Sequence, residues 1–227
     1  MPTDRTPVLA LGGILFVIGL GVLVSVDAAD GFDRAIIGAI RDPEVSNLLA
    51  FLGPLTELGS TGAVTVVAML TFAVGAAIGP WRHGLIGALT IGLAALGVEL
   101  MKSFVARTRP DILEPVIVEH GFSFPSGHAT LSMVAYGVLA VLIGRSRLPG
   151  GAATGAIVAL GLLVVLIGVS RIWLGVHFPT DVIAGWTAGW VIVLAYVAVT
   201  RGVSREPAEG AADADPAAQR SDRPAAG

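Results

Sequence analysis

The sequence contains no cysteine and little charge. The absence of cysteine excludes disulfide bonds, thiol catalysis and thiolate metal sites. Charged residues make up only 14% of the 227 residues, whereas a soluble domain usually carries about 25%. The net charge of -3 is small and no basic patch or nucleic-acid-binding motif is present, so we expect no nucleic-acid partner. With 54% hydrophobic residues and a mean hydropathy of +0.81, the composition predicts an integral membrane protein.

Six apolar runs are long enough to cross a bilayer as helices. A helix needs about 20 residues to span the ~30 Å of hydrocarbon. We therefore predict an all-α, polytopic membrane protein, a six-transmembrane-helix bundle with spans at residues 8–26, 61–79, 85–106, 127–143, 152–169 and 182–200. The first run is longer than the apolar part of a signal peptide, which has about 7–15 residues, so we interpret it as a retained anchor.

Two segments outside these spans have a different character. Between the first two spans, apolar residues recur at helical spacing, with a break at Gly53-Pro54: Val45, Leu48, Leu49, Leu52 and Leu55. We interpret this segment as an interfacial amphipathic helix, with a loop packed on the bundle as the alternative. After Arg201 the chain is rich in Ala, Pro, Asp and Glu, a composition that cannot form a core. We expect a membrane domain at 1–205 and a disordered cytoplasmic tail at 206–227.

The distribution of arginine predicts the orientation of the bundle. Basic residues near span ends favour the cytoplasmic side. If both termini are cytoplasmic, and the polar motifs described next are left out, six arginines lie inside and three outside: Arg5, Arg82, Arg145, Arg147, Arg201 and Arg205 against Arg34, Arg41 and Arg107. We therefore expect a multi-pass protein of the cell membrane with both termini in the cytoplasm.

Three polar clusters lie at span ends that this orientation places on the outer face. They are Lys102 with Arg109-Pro110, then Pro125-Ser126-Gly127-His128, then Ser170-Arg171 with His177 and Asp181. Charges so close to hydrocarbon are costly and mark candidate functional sites. Two arginine forks and one lysine suit phosphate oxygens, and a helix amino terminus binds anions. The clusters together predict one phosphate-binding site.

The histidines and the carboxylate give this site a mechanism. Asp181, four residues after His177, can hold one ring nitrogen and leave the other free as a nucleophile. His128 can protonate the departing alkoxide and then activate water. We therefore predict in-line attack by His177, a phosphohistidine intermediate and hydrolysis. Each residue also has a simpler explanation, such as an Arg anchoring a span end or Lys102 pairing with Glu99, but their meeting on one face favours a shared site.

These motifs, in this order and spacing, resemble the three-part signature of the type 2 phosphatidic acid phosphatase superfamily, the lipid phosphate phosphatases, in its bacterial membrane branch. The resemblance covers residues 85–200 well and earlier residues only by span pattern. It implies a six-helix membrane bundle with an outward-facing, metal-independent site and no cofactor. It implies His177 as nucleophile, Asp181 as its partner and His128 as acid and base, with these phosphate ligands: Lys102, Arg109, Ser126, Gly127, His128 and Arg171.

The resemblance also implies a lipid substrate whose tail stays among the membrane lipids. We rank polyprenyl diphosphates first, followed by phosphatidylglycerol phosphate and phosphatidic acid. Two alternatives are a relative of the vanadate-binding haloperoxidases, which share the signature, and a non-catalytic lipid carrier or scaffold. The sequence leaves the oligomeric state open, and we expect the outer loop at 111–124 to select the head group.

Overall fold

The protein is a bundle of helices. The computed structural model describes residues 5–40, 47, 50–78, 81–111 and 117–203. Within these ranges it contains α1 Thr6–Ser25, α2 Asp30–Ile40, α3 Leu52–Leu55 with a 3-10 turn at Thr56–Gly59, α4 Thr61–Ile78, α5 Trp81–Val105, α6 Gly127–Gly144, α7 Gly150–Trp173 and α8 Pro179–Val203. No strand occurs in this described part of the chain, so the all-α prediction is confirmed.

The apolar runs correspond to membrane-crossing helices. Five helices, α1, α5, α6, α7 and α8, are long and apolar enough to span a bilayer. Leu52–Gly59 and Thr61–Ala77, which meet at 55°, pass the same test only as a pair, as in a broken span or a re-entrant loop. Two helices extend beyond their predicted spans: α7 continues to Trp173 and α8 starts at Pro179. As a result, Arg171 and Asp181 lie on the terminal turns of helices.

The region between α1 and α4 differs from the prediction. Part of the predicted amphipathic helix, residues 41–46 and 48–49, lies outside the described residues. The structure instead shows α2 earlier, at Asp30–Ile40, with the side chains of Asp33 and Ile37 buried. The predicted break at Gly53-Pro54 is wrong, because both residues lie within α3. Proline is tolerated there because the first turn of a helix does not need its N–H. The predicted tail, 206–227, is outside the described residues.

The helix α6 forms the centre of the bundle. Half of the residues in its most apolar 18-residue stretch are buried inside the bundle, compared with 17% for the corresponding stretches of α1 and α7. The side chains of Val134, Ala135 and Val138 have no exposed surface. The large apolar side chains of α1 and α7 instead face outward, as expected for helices in contact with lipid. The amino-terminal turn of α6, which carries His128, is therefore held by helices on several sides.

Glycines allow neighbouring helices to come close together. Gly84 of α5 packs against α4, where a Cβ at position 84 would lie 2.6 Å from the carbonyl oxygen of Phe72 and 3.1 Å from Cα of Gly75. Gly92 of the same helix is exposed and has no neighbour within 4 Å of such a Cβ. Small residues at membrane-helix contacts let backbones approach, so Gly84 has a packing role that Gly92 lacks.

We expect Gly84→Ala to destabilise the bundle and Gly92→Ala to leave it unchanged. The new methyl group at position 84 meets backbone atoms, which cannot move aside as a flexible side chain would, so the cost is about 1–3 kcal/mol. Thermal unfolding of both variants in the same detergent, followed by circular dichroism, measures the difference. Equal melting temperatures for the two variants would contradict this account of the contact between α4 and α5.

Candidate active site

The three polar clusters meet at one end of the bundle. The backbone N–H of Ser126, just before α6, donates to the carbonyl oxygen of Asp181 on α8 at 3.0 Å. Arg109, after α5, donates from Nη1 to the carbonyl oxygen of Val176, after α7, at 2.9 Å. A Cβ at Gly127 would lie 3.6 Å from Nζ of Lys102. The structure thus brings together every cluster that the sequence analysis singled out.

His177 lies at the centre of this arrangement and is 1% exposed. Its Nδ1 faces Oδ2 of Asp181 at 3.4 Å, and the same oxygen accepts the backbone N–H of Phe178 at 2.9 Å. Its Nε2 faces Nη1 of Arg109 at 3.3 Å. Burial lowers the pKa of His177, although the hydrogen bond and charge of Asp181 oppose this shift. The ring is therefore neutral at pH 7, with Nδ1 held by a carboxylate and Nε2 directed at an arginine.

Two arginine forks form an anion pocket beside this ring. Arg171 is 1% exposed and donates from Nη1 to the hydroxyl of Thr56 at 3.0 Å. Arg109 is held by loop carbonyl oxygens, with Nε and Nη2 bonded to those of Gly121 and His120. Glu119 connects the two forks, because its Oε2 lies 3.0 Å from Nη1 of Arg109 and its Oε1 accepts from Nη2 of Arg171.

The pocket also contains donors that have no protein partner. Among the residues that the structure describes, the hydroxyl of Ser126 and Nε of Arg171 are buried without a hydrogen bond. Ser126 occupies the N-cap position of α6, but its side chain forms no cap hydrogen bond. Its amide is used by Asp181, so the amides of the first turn without an intrahelical acceptor belong to Gly127, His128 and Ala129. These unused donors suit an anion with several oxygens.

The remaining candidates are divided between the pocket and its surroundings. The charges of Arg171, Glu119 and Lys102 act on His128, and His177 lies near it. Lys102 lies beside Gly127 and also pairs with Glu99 at 3.1 Å, so the simpler explanation of this lysine, an ion pair with Glu99, is confirmed and its role as a phosphate ligand stays a prediction. The hydroxyl of Ser170, by contrast, bonds within its own helix to the carbonyl oxygen of Ile167 at 2.6 Å. Ser170 has no part in the pocket.

Sequence analysis missed three charged residues of this region. Arg107 bonds to Asp181 at 2.7 Å and to Asp33 of α2 at 2.8 Å. Glu119 fills the space between the arginine forks. The available signal for Arg107 was its position two residues before Arg109. The sequence analysis counted Arg107 only as a basic residue of an outside loop. Asp33 and Glu119 carry no signal in the sequence, because their partners are distant along the chain.

Glu119 is ionised in this setting. Burial raises the pKa of its carboxyl group. The charge and hydrogen bond of Arg171, together with His177 and Arg109, lower the pKa by more than burial raises it, so the pKa lies below its ordinary value. A carboxylate between two guanidinium groups occupies the position that suits phosphate oxygens. Glu119 thus places a negative charge between the two guanidinium groups.

The chain is similar to several known proteins. A family model described as the PAP2 superfamily matches residues 83–205. Phosphatidylglycerophosphatase B of Bacillus subtilis (strain 168) is 32% identical over 185 residues, which cover 78% of this chain and 88% of that protein.

Two solved structures also match this fold. The crystal structure described as the first transmembrane PAP2 type phosphatidylglycerolphosphate phosphatase from Bacillus subtilis has a TM-score of 0.72 at 27% identity, covering 86% of this chain and 96% of that one. The crystal structure of Aquifex aeolicus LpxE has a TM-score of 0.56 at 26% identity, covering 71% and 90%.

We expect Glu119→Gln to strengthen the binding of inorganic phosphate about tenfold, which corresponds to about 1.4 kcal/mol. The substitution keeps the shape of the side chain but removes the competing negative charge. Calorimetric titration of the detergent-solubilised protein measures the dissociation constant. Asp111→Asn, which removes an exposed carboxylate of the same loop, is the control and should change affinity much less. Weaker binding in Glu119→Gln would mean that Glu119 holds the arginines in place instead of competing with the anion.

Proposed function

The chain belongs to the PAP2 superfamily and is a multi-pass membrane phosphatase, and we propose that it hydrolyses lipid phosphates or diphosphates through a phosphohistidine intermediate. One observation carries this proposal. The buried ring of His177 has Nδ1 against Asp181 at 3.4 Å and Nε2 against the fork of Arg109 at 3.3 Å. A neutral imidazole in this setting presents a lone pair to whatever phosphate the fork binds.

In the first step, the Nε2 lone pair of His177 forms a bond to phosphorus while the bond from phosphorus to the lipid oxygen breaks. The departing oxygen takes the electron pair of that bond and a proton from His128. Asp181 accepts the hydrogen bond from Nδ1–H and stabilises the positive charge that develops on the ring. The products of this step are the dephosphorylated lipid and a phosphohistidine.

In the second step, water replaces the histidine on phosphorus. His128, neutral after the first step, takes a proton from the water, whose oxygen attacks phosphorus as the bond to Nε2 breaks. Arg109, Arg171 and Lys102 stabilise the oxygens of the transferring group, with the hydroxyl of Ser126 and the amides of Gly127 and His128. Because these groups supply the positive charge, we propose that the reaction needs no metal ion and continues in EDTA.

The membrane position of the pocket favours a lipid substrate. The cations lie at the ends of apolar helices, where a phosphate head group can enter while its tail remains in the bilayer. The names of the Bacillus subtilis sequence and structure that match favour phosphatidylglycerol phosphate, ahead of the polyprenyl diphosphates and phosphatidic acid. A panel of these lipids, offered in mixed micelles to the purified protein, separates the candidates by the rate of phosphate release.

We expect His177→Ala to reduce phosphate release on the order of a thousandfold or more, because the covalent step is lost. Asp181→Asn should fold and lower turnover, because the ring loses its orienting carboxylate. The matched control is His83→Ala, in the first turn of α5 at the opposite end of that helix from Lys102. Release is measured with the preferred lipid of the panel, with and without EDTA. If His177→Ala keeps its turnover, a different residue is the nucleophile. If His177→Ala loses its turnover but keeps its cellular role, the lipid-carrier alternative is favoured.

We propose that the pocket faces away from the cytoplasm and that both termini face into it, as the arginine distribution suggests. The sequence has no cysteine, so a single introduced cysteine is the only target for a maleimide. Two exposed positions are suitable: Val118 in the loop beside the pocket and Leu148 in the loop between α6 and α7.

We expect a membrane-impermeant maleimide to label Val118→Cys in intact cells and Leu148→Cys only after permeabilisation. The two positions lie at opposite ends of α6, so the bilayer separates them. Labelling is read from the mass shift of the purified protein, and the cysteine-free parent is the control. The reverse pattern would place the pocket on the cytoplasmic face and overturn the proposed orientation.

A further inference from the structure

Arg107 is buried behind the catalytic carboxylate. It follows Ala106, where the chain leaves α5 with φ of 52°, and its side chain is 8% exposed. Nη1 donates to Oδ1 of Asp181 at 2.7 Å and to the hydroxyl of Thr180 at 2.8 Å. The guanidinium also stacks on Phe178, 3.9 Å from the ring centre. Arg107 therefore contacts the residues on both sides of Pro179, at the start of α8.

Asp33 holds the other side of this arginine. Its side chain, on α2, has no exposed surface. Oδ2 accepts from Nη2 of Arg107 at 2.8 Å and from the hydroxyl of Thr180 at 2.7 Å, while Oδ1 accepts the backbone N–H of Thr180 at 3.0 Å. Asp33 thus anchors the first turn of α8 from another helix. Asp30 lies farther away, at 4.0 Å from the guanidinium.

The two oxygens of the Asp181 carboxylate have different partners. Oδ1 is taken by Arg107, whereas Oδ2 faces Nδ1 of His177 and the amide of Phe178. A carboxylate held at both oxygens cannot rotate about its terminal bond, so Oδ2 stays directed at His177. A buried carboxylate without a cation would also be costly, and Arg107 supplies that cation for Asp181 and Asp33 together.

We propose that Arg107 and Asp33 are positioning residues for the nucleophile: the pair fixes Asp181, and Asp181 in turn fixes the ring of His177. This inference rests on the proposed function, in which His177 attacks phosphorus. Arg107 differs in role from Arg109, whose fork faces Nε2 on the other side of the ring. Arg107 should therefore affect the rate of the covalent step, whereas Arg109 should affect the binding of phosphate.

The kinetic test is a double-mutant cycle between Arg107→Gln and Asp181→Asn. Alone, Arg107→Gln and Asp33→Asn should each lower kcat about tenfold to a hundredfold and leave KM within about twofold. This is the size of effect seen for residues that orient a side chain acting directly at a site. In the Asp181→Asn background, Arg107→Gln should add little, because its effect passes through Asp181. Arg107→Lys should restore part of kcat. The control is Arg34→Gln, the same substitution at the exposed neighbour of Asp33.

Effects that multiply across the cycle, or a rise in KM with kcat unchanged, would overturn the proposal and make Arg107 an independent site residue. Thermal unfolding of each variant shows whether it is folded. Because breaking a buried ion network can prevent folding, Asp33→Asn and Arg107→Lys provide milder variants that keep much of the packing.

A second readout does not depend on turnover. In protein labelled with ¹⁵N-histidine, the Nδ1–H proton of His177 reports its hydrogen bond to Asp181. Its signal should move or disappear in Arg107→Gln and Asp33→Asn and stay in place in Arg34→Gln. An unmoved signal in the first two variants would overturn the proposal. If His177→Ala keeps its turnover, the proposed function fails, but this signal still decides whether Arg107 and Asp33 position the ring.

Discussion

The pocket depends on the close contact between the first turns of α6 and α8. The amide of Ser126 bonds to the carbonyl oxygen of Asp181 at 3.0 Å. Gly185, one turn further along α8, lies so near that a Cβ there would come within 2.8 Å of the carbonyl oxygen of Ser126. Only glycine fits such an approach. This contact brings His128 on α6 and His177 before α8 to the same end of the bundle, which is the arrangement that the proposed mechanism requires.

Charge balance stabilises the buried arginines of this region. A buried cation without a partner costs several kcal/mol, and the described structure gives each buried guanidinium a carboxylate. Glu119 pairs with Arg109 and Arg171, and Asp33 and Asp181 share Arg107. These two groups of charges have different uses. In the proposed function, phosphate oxygens take over the bonds that Glu119 makes to Arg109 and Arg171. The second group contacts Asp181 and does not bind phosphate in that proposal.

The sequence predicted the spans and the shared pocket for simple physical reasons. The bilayer fixes the length and polarity of a spanning helix, so apolar runs locate α5 to α8 within a few residues. Helix count then decides which ends lie on one face, and this places Lys102, His128, Arg171 and His177 together. Glu119 and Asp33 could not be predicted in this way. Their roles depend on how a loop and the short helix α2 pack against the rest of the bundle. Neither hydropathy nor local residue spacing predicts that packing. The Ser126 side chain shows the same limit, since its position at the helix start was predictable but its free hydroxyl was not.

The two arginines that we propose as phosphate ligands are supported differently, which has a consequence for head-group selection. Arg171 belongs to a helix, and its fork is bonded to Thr56 in the 3-10 turn after α3. Arg109 is held by the carbonyl oxygens of His120 and Gly121, in the loop that we propose to meet the head group. Gly121 has φ of 79°, a conformation that favours glycine. If Arg109 binds phosphate as proposed, a change in this loop that suits a different head group also moves Arg109. The proposed function therefore couples head-group choice to phosphate affinity through Arg109 and not through Arg171.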